Sequence, residues 1–513
     1  MESRTGFRAL ARVDAFANRV YTSRLNPLYH SGAIAIAMLL VLTVTGIYLL
    51  VFYRIGAPYE SVQRISGQAW SGRWIRGLHR FASDAAVLAA SIHAFRMYAQ
   101  GRTWGPRALA WVSGLVLLGI VLMSGWTGYV LVWDAHGQLL ATEGARLLDA
   151  LPLFSEPISR SFAGERAVPN AFFFINLFAH IALPIGVLAL IWVHVARVSR
   201  PVLLPARPVL WGSVACLTLL AVVWPLPHVP AADLLRQPSA VPTDWFFLFW
   251  LPMTQALPAW AVWAGGLAIA GVVMAVPWLI RSREQLNAVP AEVNERACTG
   301  CEQCVHDCPY DAIEMVVRMD GRTGLVARVK SELCTSCGIC IGSCPPMAIG
   351  PAATGRDQLE DVRRFLVREQ PGSSDVVVVG CTWSAARREA ERAGARFLPV
   401  SCVGAMHTST VELLLRGGAG GVLVVGCAEH DGRTREGVTW TKERMFGGRK
   451  ADLKGRVERD RVSLVQASYG EAALLREAMA AFGEQISGRS DGTDDSDEVD
   501  IVEMCRVAAG AQR

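Results

Sequence analysis

From residue 32 to residue 281 the chain alternates long apolar stretches with short polar connections; beyond that point apolar runs are short and charges frequent. Six stretches, roughly 32–53, 78–98, 108–132, 171–195, 209–226 and 258–280, are long enough to cross a hydrocarbon layer as helices. The period changes in the last third. DVVVVG, ARFLPV, GVLVVG and RVSLVQ are short β-branched runs separated by helical patterns at 385–394 and 408–417, which predicts a small open α/β sheet of parallel strands. Between the two regimes, 353–370 reads as an amphipathic connecting helix ended by Pro371. The expected organisation is therefore an N-terminal segment (1–30), an all-α transmembrane bundle of about six helices (31–284), a cysteine-rich α+β segment (285–352), a linker (353–374), the α/β domain (375–485) and an acidic tail (486–513).

Composition agrees: 513 residues, 52% of them hydrophobic, and a mean hydropathy of +0.30 fit several domains with much of the chain in a bilayer. The start, MESRTGFRALARVDAF, is too polar and Arg-rich for a secretory signal. The loops 96–107 and 197–207 are basic through Arg96, Arg102, Arg107, Arg197, Arg200 and Arg207, and Arg281 and Arg283 follow the last stretch. With six spans these fall on one side, which the positive-inside rule makes cytoplasmic, although the loop 54–77 is basic too. Twelve of the thirteen cysteines follow residue 297; Cys216 alone sits in an apolar run, where a small buried hydrophobe is expected.

Two stretches carry chemistry into the membrane. HRFASDAAVLAASIH (79–93) and HIALPIGVLALIWVH (180–194) each bear two histidines fourteen residues apart. Fourteen residues is just under four turns, so each pair shares a helix face with about 21 Å between its members. Ionisable residues inside spans are costly and usually functional. Two such helices face to face give two stacked bis-histidine levels. Two imidazoles complete no tetrahedral zinc shell, but they suit a haem iron closed on both faces and dedicated to electron transfer. Gly32 and Gly46, and Gly114 and Gly128, repeat the same spacing. Each glycine costs about 1 kcal/mol in a helix, which suggests a close approach to bare backbone.

With these residues, GYVLVW at 128–133, WIRGLH before His79 and TDWFFLF at 243–249, residues 25–281 resemble cytochrome b of the bc and b/f complexes. The resemblance implies two b haems: His79 and His180 on the outer, His93 and His194 on the inner, with Arg76 and Arg96 facing haem propionates. It also implies an outer quinol site, in which Asp244, beside Trp245, stands where the family has a proton-accepting glutamate, and a dimer. Departures accompany it. At the inner quinone site Ser199 replaces a histidine, no acid occurs from 195 to 232, and the last two spans of the long form are missing. His30, two residues before Gly32, reads as an interfacial residue.

CTGCEQCVHDCP (298–309) and CTSCGICIGSCP (334–345) are two C-x2-C-x2-C-x3-C-P runs, each lending its fourth cysteine to the other's cluster. One 4Fe-4S set is then Cys298, Cys301, Cys304 and Cys344; the second is Cys334, Cys337, Cys340 and Cys308. Residues 290–351 resemble a bacterial two-cluster ferredoxin, and exposed thiolates favour a reducing compartment. Cys381, Cys402 and Cys427 follow three strand ends, where α/β sheets place their sites. Residues 375–483 resemble the delta subunit of methyl-viologen-reducing hydrogenase, whose 2Fe-2S domain couples to heterodisulfide reductases. Two further family cysteines are Ser384 and Gly432 here. A 2Fe-2S cluster needs a fourth ligand, His407 or His430, or else the domain has lost its cluster and docks a partner. The tract 487–499 is acidic and reads as disordered, and Cys505 beyond it as a stray thiol.

These parts imply a subunit of a quinol/quinone oxidoreductase in a bacterial or archaeal cytoplasmic membrane, with its iron-sulfur domains in the cytoplasm. It would pass electrons between the quinone pool, two haems, the clusters and a soluble low-potential partner, a flavoprotein or a hydrogenase- or heterodisulfide-reductase-like protein. No nucleic acid is expected. The competing expectation is a cytochrome b working with a Rieske protein, its soluble half serving only to dock a partner.

Overall fold

The computed structural model describes residues 3–152, 156–162, 167–196, 198–227, 229–236, 244–281, 288–351, 356–381, 384–428, 430–432 and 434–490. Arg197, Thr243, Arg283, Cys505 and the tract from 491 onward lie outside them. Helices occupy all six expected apolar stretches: α2 (Ser31–Phe52), α4 (Gly72–Ala99), α5 (Ala108–Val132), α7 (Asn170–Val195), α8 (Arg207–Val223) and α10 (Ala259–Leu279). Amphipathic helices α1 (Ser3–Leu25), α3 (Pro58–Gly67), α6 (Ala135–Asp149) and α9 (Leu251–Ala256) complete the bundle. Among the described residues four helices, α2, α5 with its lead-in turn, α7 and α10, are long and apolar enough to cross a membrane. α8 is too short for that measure, and α4 carries Arg73, Arg76, Arg80, Asp84 and Arg96 along its length.

The bundle is inverted relative to a soluble core. Apolar residues such as Val44, Phe178, Leu188 and Ile269 are exposed, as expected of helices whose outer face meets lipid. Cys216 follows the same logic: it is exposed on α8, not buried. An apolar run in a membrane helix is satisfied by lipid and needs no protein neighbour.

The cysteine-rich segment forms two antiparallel two-stranded sheets, β1 (Ala291–Val293) with β4 (Ile349–Pro351) and β2 (Ile313–Val317) with β3 (Leu325–Val329). The last domain is one parallel sheet in the order β6-β5-β7-β8, from β5 (Val376–Cys381), β6 (Arg396–Val400), β7 (Gly421–Gly426) and β8 (Val462–Gln466). β7 is buried along its whole length, as a central parallel strand with both faces covered must be. The final helix runs to Ser490, so the acidic tract begins as helix at 487–490.

Candidate haem and iron-sulfur site

α2 packs along α4, and α5 along α7. α4 and α7 carry the histidines; α2 and α5 carry the glycines. The imidazoles of His79 and His180 have centroids 6.4 Å apart, and those of His93 and His194 also 6.4 Å. A metal–imidazole bond is about 2 Å long, so each pair is spaced to hold one metal ion between its rings. The glycines make the helix pairs close enough. A Cβ on Gly32 would lie 2.8 Å from Nδ1 of His93, on Gly114 2.9 Å from Cε1 of His194, on Gly128 3.1 Å from His180 and on Gly46 3.3 Å from His79.

A hydroxyl precedes each of these glycines: Ser31, Thr45, Ser113 and Thr127, all buried. Thr45 Oγ1 lies 2.9 Å from Nδ1 of His79, Ser113 Oγ 3.1 Å from Nδ1 of His194, and Thr127 Oγ1 3.0 Å from Nδ1 of His180. Occupying Nδ1 fixes the ring and leaves Nε2 to face a metal. Sequence reasoning passes over these hydroxyls; their signal is a Ser/Thr-Gly pair repeated every fourteen residues in two helices.

The two arginines expected to meet propionates stand differently. Arg76 donates to Ser66 Oγ at 2.9 Å. Arg96 is buried and bridges Asp14 of α1 and, at 3.0 Å, Asp431 of the α/β domain. Near His79, Asp244 is equally engaged. One carboxylate oxygen caps the amides of Phe246 and Phe247 at 2.8 and 3.2 Å, and the other accepts from Arg80 and from the Tyr129 hydroxyl. Arg80 also pairs with Asp84, one turn further along α4. Trp245 is exposed.

The soluble domains sit on the bundle end that holds His93 and His194. Ser199 donates from Oγ to the carbonyl of Cys308 at 3.2 Å and from its amide to that of Pro309 at 3.1 Å. Arg200 reaches the carbonyl of His306 at 2.6 Å, and Arg107 meets the Tyr310 hydroxyl and covers its ring at 4.7 Å. His30 is buried rather than interfacial: its Nε2 lies 3.0 Å from the Arg24 carbonyl and its ring 4.7 Å from that of His430. Docking of the α/β domain over this end removes the water that an interfacial residue would meet. One cavity of about 580 Å³ runs through the junction, lined by His93 and His194, by Tyr310 and Thr335, and by Ala428 and His430.

In the cysteine-rich domain one small cavity is lined by Cys298, Cys301, Cys304 and Cys344, and a second by Cys308, Cys334, Cys337 and Cys340. These are the two sets that the motif spacing implies. Burial pushes the thiols of Cys304 and Cys337 up to about 12 and that of Cys344 up to about 11. Such thiols become thiolates only when a metal compensates their desolvation, so the donor set fits iron-sulfur clusters. Arg444, fully buried, ties this domain to the next by donating to Ser343 Oγ at 3.0 Å and to the Gly404 carbonyl at 2.9 Å. A Cβ on Gly338, next to Cys337, would lie 3.0 Å from Ala405 Cβ, so the two domains meet beside the second set. Within the α/β domain Cys402 contacts Thr434 Oγ1 at 2.9 Å, and Cys381 reaches the Ser401 carbonyl at 3.3 Å. His407 is buried, and its Nδ1 accepts from the Ser409 amide at 3.1 Å.

Fold and site together define a multi-pass membrane electron-transfer protein, a helical haem bundle continued by an iron-sulfur domain and an α/β domain. Comparison with known families agrees. Residues 16–201 match cytochrome b/b6/petB, residues 297–348 a 4Fe-4S dicluster domain, and residues 374–488 the methyl-viologen-reducing hydrogenase delta subunit. The chain thus carries these three domains in series, as a membrane electron-transfer protein. A solved structure described as "Hyperthermophilic respiratory Complex III" is 18% identical to it, covering 50% of this chain and 76% of its own, with a TM-score of 0.41.

Proposed function

We propose that the chain oxidises or reduces quinone at the His79/His180 end and exchanges the electrons, through two b haems, with cytoplasmic 4Fe-4S clusters serving a soluble low-potential partner. The observation that carries this reading is the bond from Ser199 to Cys308. The position where cytochrome b resemblance puts an inner quinone ligand is spent on binding the backbone of a cluster cysteine. His93 and His194, which would hold the inner haem, line one cavity with Tyr310 and Thr335, and these two residues also line the small cavity of Cys308, Cys334, Cys337 and Cys340.

The bound haems and clusters supply one-electron chemistry. The chain holds the imidazoles of His79, His180 and His194 in one tautomer through Nδ1 and offers Asp244 at the outer level as proton acceptor. The α/β domain, packed through Ala405 on Gly338 beside Cys337, either carries the electron one step further or presents the clusters to the partner. The discriminating experiment is rapid mixing of the purified protein with a quinol, following the haem α-band and the cluster EPR signals together. Cluster reduction that follows haem reduction supports the reading. Haems that reduce while the clusters stay oxidised, with clusters whose chemical reduction never reaches the haems, overturn it in favour of a cytochrome b carrying a separately addressed docking module.

A further inference from the structure

Besides Arg96, the junction cavity is lined by three arginines, two of which have no carboxylate partner among the described residues. Arg102 and Arg107 come from the segment joining α4 to α5, and Arg435 from the α/β domain; all three line the cavity that also contains His93 and His194. The Nε atoms of all three are buried and bond to nothing among the described residues. Neither Arg102 nor Arg107 has a carboxylate within 4 Å among the described residues; their terminal nitrogens go to the Gly432 carbonyl and the Tyr310 hydroxyl. Arg435 has one acid neighbour, Glu436, at 3.1 Å, and its other contact is the Arg200 carbonyl. Burying a guanidinium without an anion is expensive. Arg102 and Arg107, with Arg435 and its single carboxylate beside them around one apolar-walled space, call for negative charge inside it.

Arg96, the arginine expected to face the inner haem, also lines this cavity and pairs with Asp14 and Asp431. Arg435 is held in place by a backbone that has left the ordinary regions, with φ at +59°, a conformation that costs a non-glycine residue free energy and persists where its surroundings impose it.

Resting on the two-haem reading above, we propose that Arg102, Arg107 and Arg435 bind the propionate carboxylates of the inner haem, so that the α/β domain completes the haem pocket with a side chain of its own. Planar forks facing paired carboxylates are the arrangement guanidinium groups favour. The consequence is electrostatic. A cation near the macrocycle favours the reduced haem, which carries one positive charge fewer. Docking of the α/β domain therefore raises the inner haem's potential and couples the domain's position to electron flow.

The test is a potentiometric titration of the haem α-band in the full-length protein, comparing the native chain with Arg435→Gln and Arg435→Lys, with haem content measured on each sample. Arg435→Gln should shift the inner haem's reduction equilibrium about tenfold toward the oxidised form, about 59 mV for a one-electron couple, and leave the outer haem unmoved. Arg435→Lys, which keeps the charge and loses the fork, should show a smaller shift in the same direction. Should Arg435→Gln fail to load the inner haem, the Lys variant still reports. Two haems per chain with an inner potential unchanged in both variants would overturn the proposal while leaving the two-haem reading intact. A single haem per chain would overturn both.

Discussion

Ser199 gives its hydroxyl to the carbonyl of Cys308, 109 residues further along the chain, at 3.2 Å. This bond joins the end of a histidine-bearing membrane helix to the fourth cysteine of the first ferredoxin motif, at the position where the cytochrome b resemblance implies an inner quinone ligand. Quinone analogues should therefore block haem turnover at the His79/His180 level only. The check is haem re-oxidation through the clusters in the presence of analogues. Inhibition of that step, with the outer reaction untouched, would show an open inner site and count against the arrangement.

The glycines should rank by the space they leave. An added methyl meets an imidazole at 2.8 Å for Gly32 and 2.9 Å for Gly114, but at 3.1 Å for Gly128 and 3.3 Å for Gly46. Gly32→Ala and Gly114→Ala are expected to displace His93 or His194 and lose the inner haem. Gly46→Ala should keep the outer haem with a perturbed spectrum. Pyridine haemochrome content per chain reads the order directly.

The hydroxyls on Nδ1 should tune rather than build the site. Thr45→Val keeps the shape beside His79 and removes its 2.9 Å partner. The ring keeps its backbone partner at Leu42 and loses one of the two contacts that fix its tautomer. The expected result is a shifted outer-haem potential at full haem content, seen by titration and electron paramagnetic resonance. An unshifted potential would make Thr45 a packing residue.

At the outer level Arg80 serves two carboxylates, Asp244 and Asp84. If Asp244 takes a quinol proton, Asp84 remains as counter-ion and the guanidinium is never left unpaired. Asp244→Asn should slow quinol-driven haem reduction by the 10²–10⁴-fold typical of a lost acid–base group. Asp84→Asn should slow it less and move its pH profile, because Asp244 then becomes the sole counter-ion. Haem spectra should be unchanged in both, and stopped-flow reduction from pH 5 to 9 makes the comparison.

Asp431 makes the domain junction sensitive to pH. Burial pushes its carboxyl up from 3.8 to about 7, against the pull of Arg96; Asp14, on the same guanidinium, is raised as well by burial. The docked state thus holds the proton more tightly than the exposed carboxyl does. The resulting stabilisation is complete below about pH 4 and is lost as pH rises through about 7. Protection of the 430–435 segment from hydrogen exchange should fall over that window in the native chain and stay flat in Asp431→Asn.

Much of this was legible before any fold was drawn. The fourteen-residue spacing placed two histidines on one helix face because 3.6 residues per turn leaves no other result, and the cysteine register paired the two cluster sets because each motif surrenders its fourth ligand. The β-branched runs marked all four parallel strands. Other features had no local signal. Arg96 matched a propionate position in sequence, yet its partners are 82 and 335 residues away. His30 and Cys216 each look ordinary in their own segments, and only the neighbours, an α/β domain for one and lipid for the other, decide that the first is buried and the second exposed.

The sequence by itself therefore determined which residues can bind metal and at what spacing, since periodicity and ligand chemistry are local properties of a chain. The tertiary structure alone decided what stands between those centres: that Ser199 meets Cys308, that Ala405 packs on Gly338 beside Cys337, and that three arginines from two domains share one cavity with His93 and His194. Those contacts arise where three units bury surface against one another, and burial between distant segments leaves no period in a sequence.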